Sequence, residues 1–150
     1  NNIQQILENK EIITIHLRRG DKVVNDGGIS NNIQDNELQE LDRVTFKFID
    51  EMIEKVNKNI CFVSDEVKVK NNYISKYQDK CNVINFNGND ISQTYIDLYC
   101  LSKSKDIFVS QKFSVFSLLG YLIGNSNLYY IYEDSKFKQF SKYKNLINYK

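Results

Sequence analysis

The run Ile12-Ile13-Thr14-Ile15 is β-branched throughout, with no alternation of apolar and charged residues. A strand that faces water on one side alternates, whereas a continuous run of this kind needs cover on both faces. The same character returns at Ile107-Phe108-Val109, and longer stretches with helical spacing lie between such runs. Short buried strands separated by helices make βαβ units, and these assemble as a parallel sheet. The expected class is α/β, an open parallel sheet of about five strands with helices on both faces. The strands read from the sequence are Glu11–Leu17, Ile60–Ser64, Asn82–Phe86, Asp106–Ser110 and Leu128–Tyr132.

Leu38, Leu41, Val44, Phe48, Met52, Ile53 and Val56 repeat at helical spacing and predict a helix over Asn36–Asn57. Ile91–Ser104 and Phe113–Ile123 follow, the latter ended by Gly124-Asn125 as a C-terminal stop. Val67–Gln78 is a shorter helix, and Asn1–Asn9 reads as a helix packed on something upstream. The tyrosines of Tyr95–Tyr99 have a spacing that suits core packing better than a base-stacking platform. The Gly-, Asn- and Asp-rich stretch Lys22–Asn36 reads as a long loop leaving the carboxyl end of the first strand. Ligands of open α/β sheets sit at such ends. The tail after Glu133 reads as a frayed segment or short helix. No repeat and no Pro-rich or Gly/Ser linker divides the chain, so residues 1–150 are read as a single domain.

Composition excludes several classes. The chain is 41% hydrophobic and 26% charged, as ordinary globular proteins are. A net charge of +1 supplies no field to gather nucleic acid or an anionic membrane. No apolar run approaches the roughly 20 residues that span a bilayer. Asn1-Asn2-Ile3-Gln4-Gln5 has no signal-peptide pattern and no initiator Met, so the expectation is a piece of a longer chain. The expected location is cytoplasmic, with peripheral attachment at the inner membrane face as an option. Cys61, Cys81 and Cys100 lack metal-ligand spacing and read as buried, reduced thiols.

The basic residues are nearly all Lys. Of 20 Lys and Arg, only Arg18, Arg19 and Arg43 are Arg, and two of these are adjacent. The single His, His16, stands two residues before them, in Ile15-His16-Leu17-Arg18-Arg19-Gly20-Asp21. A diphosphate needs planar forked donors whose charge does not titrate, which Arg provides better than Lys. One Arg at a strand's carboxyl end can reach a phosphate, while the next can pair with Asp21 or support the loop. Gly20 permits a sharp exit. His16 can donate to a phosphate or to the base and ribose.

This segment resembles the HxRRGD signature of α1,2-fucosyltransferases and the HxRRxD of the α1,6-fucosyltransferase group. All five specified positions of HxRRGD are met by His16, Arg18, Arg19, Gly20 and Asp21. Phe62-Val63-Ser64-Asp65-Glu66 looks like the family's F-S-D-D element, with Glu66 in place of the second Asp. Asp97 through Ser102, followed by Phe113-Ser114, looks like its D-x-x-x-[LM]-[SA] … S-S-F-S block. There Gln111-Lys112 replace small hydroxyl residues, and Val115-Phe116 replace Trp-Trp. The resemblance spans residues 11 to about 124.

It implies the Rossmann-like donor-binding domain of a GT-B glycosyltransferase, whose N-terminal acceptor domain this chain lacks. It also implies GDP-fucose as donor, a glycan hydroxyl as acceptor and inverting transfer. Arg18 would hold the β-phosphate, with His16 and Arg19 beside it, and Ser114 would meet phosphate at a helix start. Asp97 would read guanine or ribose, and Asp65 would belong to the donor site. A Ser N-cap is independently a natural anion site. Asp97, read as near a helix start, also suits the helix dipole with no ligand at all. The loop after the motif offers Asp21 and Asp26 as carboxylates, and Asp26 is the candidate general base; the alternative is that Asp21 orients Arg18 or Arg19 and the base comes from elsewhere. No cofactor or metal is expected, because Arg and helix-terminus donors would carry the leaving diphosphate. The alternatives are a GT-B enzyme with another donor, a non-catalytic nucleotide-binding module, or an adhesion module using Arg19-Gly20-Asp21.

Overall fold

The computed structural model describes residues 11–18, 35–55, 59–86, 90–110 and 114–131, without the side chains of 35–38 and 90. The chain order is β1 (Ile12–Leu17), α1 (Asp35–Lys55), β2 (Asn59–Ser64), α2 (Val67–Tyr77), β3 (Asn82–Ile84), α3 (Asp90–Lys103), β4 (Asp106–Val109), α4 (Val115–Ile123) and β5 (Asn127–Tyr130). All strand pairs are parallel, and the sheet order is β3-β2-β1-β4-β5. The expected α/β class and five-stranded parallel sheet are what the chain adopts. The strand order reverses between β1 and β4, which makes the carboxyl ends of those two strands a topological switch point.

β1 is central, and all six of its side chains are buried. Alternation along the strand sends Ile13, Ile15 and Leu17 to one face, where they join Val44, Ile49 and Met52 of α1 and Tyr73 and Tyr77 of α2. Aromatic rings fill this layer. Phe46 stacks on Tyr73 with centroids 4.5 Å apart, and Phe62 lies 5.8 Å from Tyr73 and 5.9 Å from Tyr77. Both tyrosine hydroxyls are satisfied, Tyr73 Oη donating to Asp42 Oδ1 at 2.6 Å and Tyr77 Oη to the Phe46 carbonyl at 3.2 Å. The other face carries Ile12 with Cys61, Val63, Cys100, Leu101, Ile107 and Val109, under α3 and α4.

Two polar β1 residues also point to that second face. Thr14 Oγ1 is hydrogen-bonded to Ser104 Oγ at 2.5 Å, and Ser104 Oγ lies 2.6 Å from the Cys100 carbonyl. Ser126 Oγ donates to the Ser104 carbonyl at 2.5 Å and lies 3.2 Å from that of Leu101. The Cys100 and Leu101 carbonyls in the last turn of α3, which have no intrahelical partner, are thus taken up by buried hydroxyls.

Several boundaries differ from the sequence reading. β3 ends at Ile84 rather than Phe86; the Phe86 carbonyl accepts from Lys70 Nζ at 3.3 Å. α4 begins at Val115 because Ser114 is its N-cap, with extended φ −85° and ψ 104°. Gly124 ends α4 with φ −92° and ψ −173°, so it is not a left-handed stop. Glycine is needed there because a Cβ would collide with the Ser102 carbonyl oxygen. Tyr95 is 71% exposed and does not pack in the core. The buried stripe of α3 runs through Asp97, Cys100 and Leu101, and Tyr95 falls off it. Asp97 is the eighth residue of α3, two turns in, so the N-terminal dipole reading does not apply to it. Cys61 and Cys100 are buried free thiols, but Cys81 is only half-buried. The helix expected at Asn1–Asn9, the loop over 22–34 and the tail after Glu133 lie outside the described residues. None of the described helices is long and apolar enough to cross a membrane.

α3 and α4 pack closely through Gly120, where a Cβ would fall inside contact distance of Leu101 Cβ. Gly120→Ala is expected to destabilise the fold by about 1–3 kcal/mol through overpacking. In urea denaturation its cost should shrink measurably when Leu101→Ala is introduced with it, because the two changes share one contact. Additive costs would show that the helices separate freely.

Candidate functional site

β1 delivers the site because its parity is fixed by burial. His16 shares a face with Ile12 and Thr14, and its ring meets the start of α4. Its Nδ1 is hydrogen-bonded to Ser117 Oγ and lies 3.2 Å from Ser114 Oγ. The ring packs edge-on to Phe116, with centroids 5.9 Å apart. Burial lowers the His16 pKa to about 4, with Arg18 adding to the fall and Asp65 opposing it. His16 is therefore a neutral imidazole at pH 7, with Nδ1 committed to the two serine hydroxyls.

Two hydroxyls clamp the end of β1. Ser64 Oγ, at the end of β2, donates to the Leu17 carbonyl at 2.8 Å. The Arg18 amide donates to Ser110 Oγ, just past β4, at 3.1 Å. Arg18 therefore leaves the sheet from a fixed point between the two neighbouring strands. Ser64 Oγ also accepts from the Glu66 amide at 3.1 Å, which shapes the entry to α2.

Beside this point opens a cavity of about 420 Å³, lined by His16, Arg18, Ser64, Asp65, Asp97 and Phe116, with Val63, Val67, Gln93 and Thr94 completing the wall. Its size is in the roughly 300–1,000 Å³ range of small-molecule sites. Asp97 is 6% exposed. Gln93 Nε2 donates to its Oδ1 at 2.6 Å, and Lys70 Nζ lies 3.6 Å from the same oxygen. Burial pushes the Asp97 carboxyl above the usual carboxylate range, while Lys70 and Gln93 pull it back. Asp65 is exposed at the rim, directly after β2.

Four of the residues singled out from the sequence, His16, Arg18, Asp65 and Asp97, meet at this one cavity. Ser114 stands close by but does not line it. Its hydroxyl accepts from the Ser117 amide at 3.2 Å and contacts His16, so it serves the cap and the imidazole. Arg19, Gly20, Asp21 and Asp26 lie outside the described residues. Sequence reasoning missed Ser110 and Ser117, which carry no pattern of their own, and it gave no role to Ser64 within the Phe62–Glu66 element. It also missed Lys70, for which a signal exists. Lys70 stands at helical spacing before Tyr73 and Tyr77, and these three are the buried residues of α2.

No family model and no curated protein sequence matches this chain. Solved structures do. The crystal structure of NodZ α-1,6-fucosyltransferase soaked with GDP-fucose superposes with a TM-score of 0.55 at 14% identity, covering 93% of this chain and 46% of that one. The same enzyme co-crystallised with GDP gives 0.55 at 14% identity, over 88% and 42%. Selenomethionine NodZ from Bradyrhizobium gives 0.60 at 16% identity, over 93% and 45%. The chain has a fucosyltransferase-like α/β fold. It spans less than half the length of these neighbours.

The neutral state of His16 predicts an acid limb of stability. An unfolded His titrates near 6.5 and the folded one near 4, so the unfolded chain binds the extra proton between those values. Stability from this group is present above pH 6.5 and is lost as pH falls toward 4. The loss between pH 7 and pH 5 is about 2 kcal/mol by linkage. The raised carboxyl of Asp97 works in the opposite direction, so the His16 part is isolated by comparison with His16→Gln. Urea titrations of both proteins at pH 7 and pH 5 should show a steeper loss in the parent. Equal slopes would mean that His16 is not buried neutral.

Proposed function

We propose that this chain is the donor-binding domain of a fucosyltransferase-like glycosyltransferase that holds GDP-fucose at the β1/β4 switch point. The observation that carries the reading is the convergence of Arg18, neutral His16 and buried Asp97 on one cavity beside the N-terminus of α4, in a fucosyltransferase-like fold. The Ser114 cap uses the Ser117 amide, which leaves the amides of Val115 and Phe116 free of intrahelical acceptors. Helix dipole and free amides favour an anion there. Arg18 binds the β-phosphate as a fork, and His16 Nε2 and Arg19 add donors. Ser114 assists through the helix start it caps. Asp97 accepts from the guanine edge, and Asp65, at the end of β2, accepts from ribose hydroxyls as acidic residues do at that place in related sheets.

In the transfer step the acceptor hydroxyl oxygen attacks the fucose anomeric carbon from the face opposite the diphosphate. The bond from that carbon to the phosphate oxygen breaks, and GDP leaves with the electron pair. The hydroxyl proton passes to a carboxylate, for which Asp26 is the proposed base, with Asp21 orienting the arginines. The glycan-binding surface and the second wall of the site belong to an N-terminal domain. Arg18 and the helix terminus carry the charge of the leaving diphosphate, so the reading requires no metal.

Calorimetry with GDP, GDP-fucose and UDP tests this. Both guanine nucleotides are expected to bind and UDP to fail, with EDTA making no difference. Arg18→Ala should weaken GDP about ten- to a hundredfold, as expected for one charge-assisted phosphate contact of about 1.5–3 kcal/mol. Selective binding of UDP would overturn the fucosyl assignment. Loss of GDP binding in EDTA would overturn the metal-free one.

A further inference from the structure

Buried lysines are rare unless paired. Lys70 is 6% exposed, on α2, and its ammonium reaches across to two acceptors, the Phe86 carbonyl at 3.3 Å and Asp97 Oδ1 at 3.6 Å. Both side chains of the pair are more than nine-tenths buried. A buried ion pair contributes little net stability, since desolvation offsets its attraction. Its retention beside a ligand-sized cavity calls for another account.

Asp97 supplies one. A carboxylate offers about four lone-pair sites. Gln93 takes one on Oδ1, and Lys70 approaches the same oxygen. Neither uses Oδ2. The carboxylate is thereby held in place in the wall of the cavity that Asp97 and Gln93 line. We propose that Lys70 is a positioning residue that keeps Asp97 ionised and oriented as a two-point acceptor, and so selects a nucleobase edge with two adjacent N–H donors. This rests on the donor-site reading and deepens it. Guanine presents such an edge, inosine lacks the exocyclic amine, and adenine and uracil offer no such pair.

The charged and titratable surroundings of Asp97 support this assignment. Its own helix contributes Gln93 and Cys100, and β2 contributes Cys61 and, just beyond, the exposed Asp65. A hydrogen bond with Cys61, together with burial, holds the Cys100 thiol in its neutral form. His16 is neutral at pH 7. Arg18 lines the same cavity, but among the described residues Lys70 is the cation paired with Asp97. Without the ammonium, burial raises the carboxyl further, and a protonated Asp97 loses one acceptor for the base.

The experiment is calorimetry of the parent, Lys70→Met, Lys70→Gln and Asp97→Asn with GDP and with inosine diphosphate, from pH 6 to pH 8.5. The parent should prefer GDP at least tenfold, with little change across the range. Lys70→Met should show a weaker preference that rises with pH, as Asp97 ionises. Lys70→Gln keeps a donor for the Phe86 carbonyl but not the charge, and it should behave like Lys70→Met even if the latter does not fold. Asp97→Asn should lose the preference at every pH. A folded Lys70 variant with the parent's preference and a flat pH profile overturns the positioning role. So does an Asp97→Asn protein that still prefers GDP. A parent that binds neither nucleotide overturns the donor-site reading itself, a distinct result.

Discussion

β1 lies in the middle of a parallel sheet with helices on both faces, so none of its six side chains can reach water. That constraint governs both the packing around the strand and the polar contacts it must make. Strand alternation sends three residues to each layer, and a polar residue on either face must find a partner inside the protein. Thr14 finds Ser104, and His16 finds Ser114 and Ser117. The sheet, the end of α3 and the start of α4 are joined through those few hydroxyls. The strand that specifies the core also carries the imidazole, and the chain then leaves the sheet at Arg18.

The same constraint sets the chemistry. Burial makes His16 neutral, so it acts as a fixed dipole rather than a cation beside Arg18. In the same cavity, burial alone would drive Asp97 toward its neutral form, and Lys70 and Gln93 hold against that tendency. The cavity is therefore lined by a guanidinium at Arg18, carboxyl groups at Asp65 and Asp97, and a neutral imidazole.

Much of this was legible in the chain. The alternation of apolar runs with helical stripes leads to the sheet and its helices, because burial on two faces leaves no polar alternation. The long stripe of α1 is borne out at Leu41, Val44 and Met52, with Ile49 buried among them. The cluster of a lone His and two scarce Arg pointed to the end of β1, where the cavity opens. Tyr95 misled because its spacing to Tyr99 is helical. Spacing gives the period of a helix but not which side faces inward.

By itself the sequence determined the α/β class, the central strand and the location of the motif at a strand's carboxyl end. These depend on local patterns of apolar and β-branched residues. Only the tertiary structure decided what stands beside that motif. Lys70, Asp97, Ser110 and Ser117 are 54 to 101 residues away from His16 along the chain, and parallel crossovers bring them together. Such contacts leave no periodic trace, since each residue looks locally like an ordinary helix or turn position. The ionisation states were likewise a tertiary matter, because burial and a partner's charge act through space.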